Sequence, residues 1–227
     1  MIHLTPRLSA VANFIEKGSV LADIGTDHAY LPAYLIQNGI ISRAFACDIN
    51  AGPLNNAKTT VKDAGIAGVE FILSDGLQGL EPQKEAFDTI VIAGMGGELI
   101  CDILTAAPWC HQKNYTFILQ PMTRANVLRR YLYAHGFEIL HESIAKEKDK
   151  LYNIMKVRFT SHKSALSEAQ ALLGKTANSE YFEELRAREI KRLQTMYASL
   201  KHADRTQPQQ EQIIKLIEEI KEYTCLQ

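Results

Sequence analysis

Cysteine is scarce in this 227-residue chain, and Cys47, Cys101, Cys110 and Cys225 contain no C-x-x-C pair. Seven histidines add no recognisable zinc spacing, so no metal is expected. No basic start followed by a long apolar core marks a signal peptide, and a reducing, cytoplasmic setting is the expectation. No uncharged apolar stretch approaches the roughly 18 residues that a membrane span needs. Charge of one sign is also missing: 25 lysines and arginines face 26 aspartates and glutamates, for a net charge of −1. Any nucleic-acid surface must therefore be a local patch. Internal repeats and low-complexity tracts are absent, and hydrophobic residues make up an ordinary 46%.

What is present has a clear order. The length suits a sheet-based domain, residues 1–160, followed by a smaller appendage, residues 161–227. In the first part, short apolar runs alternate with helix-length segments, as in a parallel sheet covered on both faces. Strands are expected at Val20–Ile24, 44–48, Val69–Leu73, 87–93 and 115–120, and Thr123 is placed to cap a helix running to His135. Two further strands, 137–144 and 152–159, are joined by the charged 146–150 connection, too short for a crossover helix, so they pair antiparallel. The expected fold is α/β, a class I methyltransferase (Rossmann-like) seven-stranded sheet with a closing antiparallel hairpin. A dinucleotide dehydrogenase would keep its sixth strand parallel.

After residue 160 the texture changes. Phe182, Leu185, Ile190, Leu193, Tyr197 and Leu200 line one face of a long helix that Asn178 or Ser179 can cap, with Glu180, Glu183 and Glu184 in its first turn. A second helix restarts after the Asp204–Pro208 segment and carries Ile213, Leu216, Ile217, Ile220 and Tyr223. The two predict an antiparallel, coiled-coil-like pair. With ten basic and ten acidic residues, this tail is no basic arm.

The first strand runs through Asp23 into Gly25, Thr26, Asp27, His28, Ala29 and Tyr30, a strand-to-turn-to-helix passage of the kind that binds nucleotide-like ligands at a sheet edge. The second strand ends at Asp48, 23 positions after Gly25, the spacing at which such folds grip ribose hydroxyls. Ser74, Asp75 and Gly76 follow the third strand, suited to an adenine amine and ring, and Gly94, Met95, Gly96 and Gly97 follow the fourth. Gln120 and Pro121 close the fifth. The turn is not G-x-G-x-x-G, because Asp27 and Ala29 stand where glycines would be; a carboxylate there repels a pyrophosphate and welcomes a sulfonium or ammonium cation. An Asn-Pro-Pro-Tyr or Asp-Pro-Pro-Tyr clamp for an exocyclic amine is absent after the fourth strand.

The runs from Asp23 to Pro32 and from Ala93 to Gly97, with Gln120-Pro121 and Arg7-Leu8, resemble the bacterial tRNA (adenine-22 N1)-methyltransferase family. The resemblance implies S-adenosylmethionine as methyl donor, tRNA as partner and substrate, and N1 of an adenine as acceptor. Asp23, Gly25, Thr26, His28, Asp48, Ile49, Asn50, Ser74, Asp75, Gly76, Gly94, Met95, Gly96, Gly97 and Gln120 are then the cofactor-binding candidates. Asp27 is the catalytic candidate, stabilising the charge that grows on the base or accepting an amine proton. Arg7, Tyr30, Arg124, Tyr152 and Asn153 are the tRNA-binding candidates, with Met122 beside the base. Arg129, Arg130, Lys146, Lys148 and Lys150 are further candidates for a phosphate-binding patch. Tyr30, opening a helix, equally suits core packing, and His28 equally suits turn hydrogen bonding. A methyltransferase for a small molecule or protein, or an RNA-binding module with a relic pocket, also fits these residues. A monomer or weak dimer is expected.

Overall fold

The computed structural model describes the backbone of residues 1–202 and 207–224. Cys225 and most of the expected 204–208 connection lie outside the described residues. Seven strands form one sheet: β1 (Val20–Ile24), β2 (Arg43–Asp48), β3 (Val69–Leu73), β4 (Thr89–Gly96), β5 (Thr116–Thr123), β6 (Phe137–Glu147) and β7 (Lys150–Phe159). Their order is β3-β2-β1-β4-β5-β7-β6, with β1–β5 parallel and β7 antiparallel to both β5 and β6. The seven-stranded sheet with its closing hairpin is as expected. Lys148 takes a left-handed φ of 54° at the hairpin turn, which lets the two strands run almost to the 148–149 tip.

Eight α-helices and two 3₁₀ segments (Gln78–Ala86 and Pro108–Cys110) complete the described fold, the α-helices being α1 (Pro6–Ala12), α2 (Tyr30–Gln37), α3 (Ala51–Asp63), α4 (Gly97–Thr105), α5 (Ala125–Ala134), α6 (Glu168–Leu173), α7 (Phe182–His202) and α8 (Gln207–Glu222). Strand alternation divides the core between the two faces of the sheet. Phe45, Ile90, Ile92, Phe117, Leu119 and Met155 pack under α4 and α5. Leu21, Ala44, Val91, Ile118 and Ile154 pack under α1 and α2. The edge strand β3 departs from the expectation of two covered faces, since Glu70 and Leu73 are exposed.

The helix ends bring corrections. The N-cap of α5 is Arg124 in the left-handed region, φ 59°, and Thr123 ends β5 instead of capping. Thr5 caps α1 ahead of Pro6, and Ser167 with Gln170 makes a capping box on α6; both signals stand in the sequence. The Ser179 hydroxyl accepts the Ile144 N–H at 3.3 Å, tying the start of the tail to β6.

The apolar faces expected for the tail meet as one cluster: Phe182, Leu185 and Leu193 on α7 pack with Ile213 and Ile220 on α8, and with Ala169 and Leu173 on α6. Ile144 and Leu151 of the hairpin join the same cluster, so the helical pair leans on the sheet as well as on itself.

At the seam lies Arg129, expected on an RNA-facing patch but completely buried. Its Nε and Nη2 donate to Glu142 Oε1 at 2.9 and 2.6 Å, and its Nη1 donates to the Ala171 and Leu172 carbonyls at 2.6 and 2.9 Å, satisfying the last turn of α6. Gly174, at φ 63°, lets the chain pass so close that a Cβ would collide with Glu142 and Arg129. Arg130 serves the same seam, through Glu168 at 2.6 Å and the Leu166 carbonyl at 3.1 Å.

Candidate nucleotide and methyl-donor site

Because β1–β5 run parallel, Asp23, Asp48, Ser74, Gly94 and Gln120 all reach one edge of the sheet. The β6–β7 hairpin, running antiparallel beside β5, brings its tip to the same edge. The order reverses around β1 and β4, the point at which open α/β sheets form a ligand crevice beyond the strand ends.

Gly25 is required by its backbone. Its φ is 78°, and a Cβ there would collide with the methyl group of Met95, which lies across the turn. The Gly25 and Thr26 N–H groups both donate to the Cys47 carbonyl, at 2.8 and 2.9 Å. They are spent inside the fold, so this pair offers no nest for a phosphate, in keeping with the acidic turn. Ala29, buried and non-glycine, holds φ 52° to launch α2 directly from that turn. Such a strained residue persists only where its surroundings impose it.

Carboxylates dominate the crevice. Asp23 is buried, and burial pushes its pKa up to about 6; the neighbouring Thr26 hydroxyl pulls it partly back. That hydroxyl is itself buried without a well-formed hydrogen bond. A buried carboxyl beside an unsatisfied hydroxyl is a fitting seat for a cationic amino group. Asp48 accepts the Asn50 N–H through Oδ1 at 2.8 Å, which shapes the β2–α3 turn. Asp75 is exposed next to Gly76, which has φ 55°. Ile49 and Leu73, large apolar residues at 57% and 62% exposure, flank the ends of β2 and β3. Leu73 escaped the sequence reading; its apolar side chain directly before Ser74-Asp75 was the available signal. Together, an apolar pair, ribose-length carboxylates and a buried acid suit a positively charged adenosine derivative.

Several expected cofactor ligands do other work. The Ser74 hydroxyl donates to the Gly76 carbonyl and accepts from the Gly79 N–H, at 2.8 and 2.9 Å, closing its own loop. Gly97 begins α4 under the Arg124 carbonyl, where any side chain would collide. Gly96 is the N-cap of α4 and Gly94, at φ 86°, donates its N–H to Gln120.

Asp27, in the turn after β1, is 71% exposed with Oδ2 at 3.5 Å from His28 Nε2. His28 stacks on Tyr30, ring centroids 5.2 Å apart and 14° from parallel. Tyr30 is 44% exposed, so it forms an open aromatic surface and not core packing. Arg7, from α1, lies over the Tyr152 ring, its Cζ 5.9 Å from the centroid, with Gln120 bonded to it. Asn153 belongs elsewhere: adjacent strand residues point to opposite faces, and its Oδ1 accepts from Arg129 at 2.9 Å across the sheet from Arg7. Lys146 is paired with Glu184 at 2.8 Å, whereas Lys148, Lys150 and Arg124 remain exposed near the hairpin tip and the β5–α5 turn. Among the described residues no cluster of His, Cys, Asp and Glu is able to hold a metal.

Two tests follow from this geometry. Asp48→Ala removes an acceptor for ribose hydroxyls, and calorimetry is expected to show S-adenosylmethionine binding weakened about tenfold to a hundredfold, at roughly 1.5–3 kcal/mol per charge-assisted bond. Asp23 sets a pH dependence. Its raised pKa makes the protonated form the favoured one in the fold, so Asp23 costs stability as pH rises from the ordinary carboxylate range to about 6. A bound ammonium offsets that cost, so cofactor affinity should climb with pH up to about 6 and then level off. Affinity that stays flat from pH 5 to 8 would remove Asp23 from the binding reaction.

Comparison with known proteins gives a consistent picture. The methyltransferase domain family matches residues 4–155. The Bacillus subtilis tRNA (adenine(22)-N(1))-methyltransferase is 39% identical over 155 residues, which are 68% of this chain and 64% of that enzyme, slightly under two thirds of its length. In solved structures the likeness spans the whole fold. The B. subtilis M1A22 tRNA methyltransferase TrmK superposes with a TM-score of 0.84 at 31% identity, covering 98% of this chain and 99% of that one. M. capricolum TrmK, in complex with S-adenosyl-homocysteine, gives 0.78 at 30% identity over 97% of each chain. The shared sheet, the helical tail and the match of the domain family together show that the chain belongs to the tRNA (adenine(22)-N(1))-methyltransferase, or TrmK, family.

Proposed function

We propose that this chain transfers a methyl group from S-adenosylmethionine to N1 of adenine 22 in tRNA. The observation that carries this reading is the polarity of the crevice: Asp23, Asp48 and Asp75 stand at the ends of β1–β3, and Arg7, in the first turn of α1, is bonded to Gln120 on the β4–β5 side. The acidic side suits a cationic adenosine derivative, and the opposite side suits the acceptor RNA. Asp48 and Asp75 would take the ribose and adenine, between Ile49 and Leu73, and Asp23 with Thr26 the amino end. When bound, S-adenosylmethionine supplies an electrophilic methyl group.

Adenine N1 carries a lone pair at neutral pH and needs no base to expose it. What the protein must do is extract the base, orient it and stabilise the positive charge it acquires. The His28–Tyr30 stack offers a flat surface for the extruded base. Asp27, exposed beside that surface, supplies negative charge where the base becomes cationic. Arg124, Lys148 and Lys150 are placed on the same edge for RNA phosphates. These assignments describe a cytoplasmic enzyme whose 1–160 region carries the chemistry and whose helical tail stands beside the hairpin.

The test uses labelled S-adenosylmethionine with two transcripts of one tRNA, carrying adenine or guanine at position 22. Label is expected only in the first, at N1. Equal labelling of both, or label at an exocyclic amine, would refute the reading.

A further inference from the structure

Gln120 lies in the last half of β5, three residues before its end, yet its side chain is completely buried and its polar atoms are engaged within the protein. Oε1 accepts from Arg7 Nη1 at 2.5 Å and from the Gly94 N–H at 3.1 Å, and Nε2 donates to the Pro121 carbonyl at 2.8 Å. A buried amide with both ends occupied has little left for a ligand.

Its main partner is unusual. Arg7 is half-buried, held by Gln120 on one side and by the Tyr152 ring on another, and its backbone N–H donates to Glu147 Oε2 at 3.2 Å. Thr5 and Pro6 fix the start of α1 directly ahead of it. Among the described residues no carboxylate lies within ion-pair distance of its guanidinium. Glu147, bonded to the Arg7 backbone N–H, feels the charge without pairing with the guanidinium, whose direct supports, Gln120 and the Tyr152 ring, are both neutral. Partly desolvated cations of this kind are matched by an anion that arrives with a ligand.

We propose that Gln120 is a positioning residue and not a cofactor ligand: its carbonyl oxygen, with the Tyr152 ring, holds the Arg7 guanidinium toward a phosphate of the acceptor RNA. Gly94, whose N–H shares the same oxygen, couples this arm to the β4 end of the crevice. The proposal rests on the functional reading above.

The experiment is a double-mutant cycle in the full chain with unmodified tRNA transcript. It reads three quantities: tRNA affinity without cofactor at several salt concentrations, kcat/KM for tRNA, and cofactor affinity by calorimetry. Arg7→Ala and Gln120→Leu are each expected to lower kcat/KM by about tenfold to a hundredfold, the scale of a misplaced positioning group. Each should also reduce the slope of log affinity against log salt by about one, the signature of one lost phosphate contact. Cofactor affinity should stay within about twofold, and the double variant should be no worse than Arg7→Ala alone. Gln120→Glu keeps an oxygen acceptor of the same reach but adds the carboxylate that the fold withholds, so it is expected to pair with Arg7, to cut the salt slope by about one while Arg7 is present and to cut it no further with Arg7→Ala. The cycle can therefore be read on this variant if Gln120→Leu does not fold. Independent, additive losses, or cofactor affinity falling tenfold or more in either Gln120 variant, would overturn the proposal while leaving tRNA methylation intact. Wild-type protein that binds cofactor but neither binds nor methylates tRNA would overturn the functional reading and the proposal with it.

Discussion

Replacing Arg129 by methionine is expected to lower the unfolding free energy by about 3–5 kcal/mol, because it leaves Glu142 buried without its cation. Both side chains are fully inaccessible, and the guanidinium holds Glu142, Asn153 and two carbonyls of α6 at once. The loss should appear as a shift of the urea midpoint at unchanged cofactor stoichiometry. Removing both charges, as Arg129→Met with Glu142→Leu, should recover much of it, since a buried pair replaced by apolar groups is often close to neutral. A single variant as stable as wild type would mean that the network adds nothing. The same network bears on truncation. A cut at Thr160 would remove Ala171, Leu172 and the Lys175 N–H that binds Glu142, exposing the pair and the apolar Ile144 and Leu151.

Replacing Asp27 by asparagine is expected to slow methyl transfer about 10²-fold or more at saturating cofactor and tRNA, the usual effect of losing one transition-state partner. The substitution keeps size and hydrogen bonding and removes only the charge proposed to act on the base as it becomes cationic. The side chain is exposed and only loosely paired with His28, so fold and tRNA affinity should persist, with a modest loss of cofactor affinity at most. Single-turnover rates are the measurement. Rates near wild type would make Asp27 a residue that shapes the turn, and catalysis would then rest on positioning alone.

Much of this was legible in the chain itself. β1 and β3 begin and end where their apolar runs do, and the hairpin follows from a connection too short for any crossover. The apolar faces of α7 and α8 meet as their helical spacing requires. The acidic strand ends were equally plain, because a parallel sheet sends every strand terminus to one edge, whatever its long-range order.

Residues judged one at a time fared differently. Arg129 and Arg130 read alike as surface cations, and only the arrival of α6, about 40 residues later in the chain, buries one and pairs the other. Tyr152 and Asn153 are neighbours with one expected role, yet the pleat sends them to opposite faces, the first to Arg7 and the second to Arg129. Tyr30 lies open on a helix that was free to turn it inward, and Gln120 faces the crevice while its amide is consumed by Arg7 and Gly94.

The fold class, the edge that carries the candidate site and the acidic character of its cofactor side follow from local information, because they depend on periodicity, turn chemistry and the charge of residues next to one another. Which polar side chains stay open at that edge and which are spent holding the protein together depends on long-range folding. A hydrogen-bonding group is satisfied by whatever the fold brings within about 3 Å, and for the Arg129 and Arg7 guanidinium groups the partners come from 13 to 113 positions away.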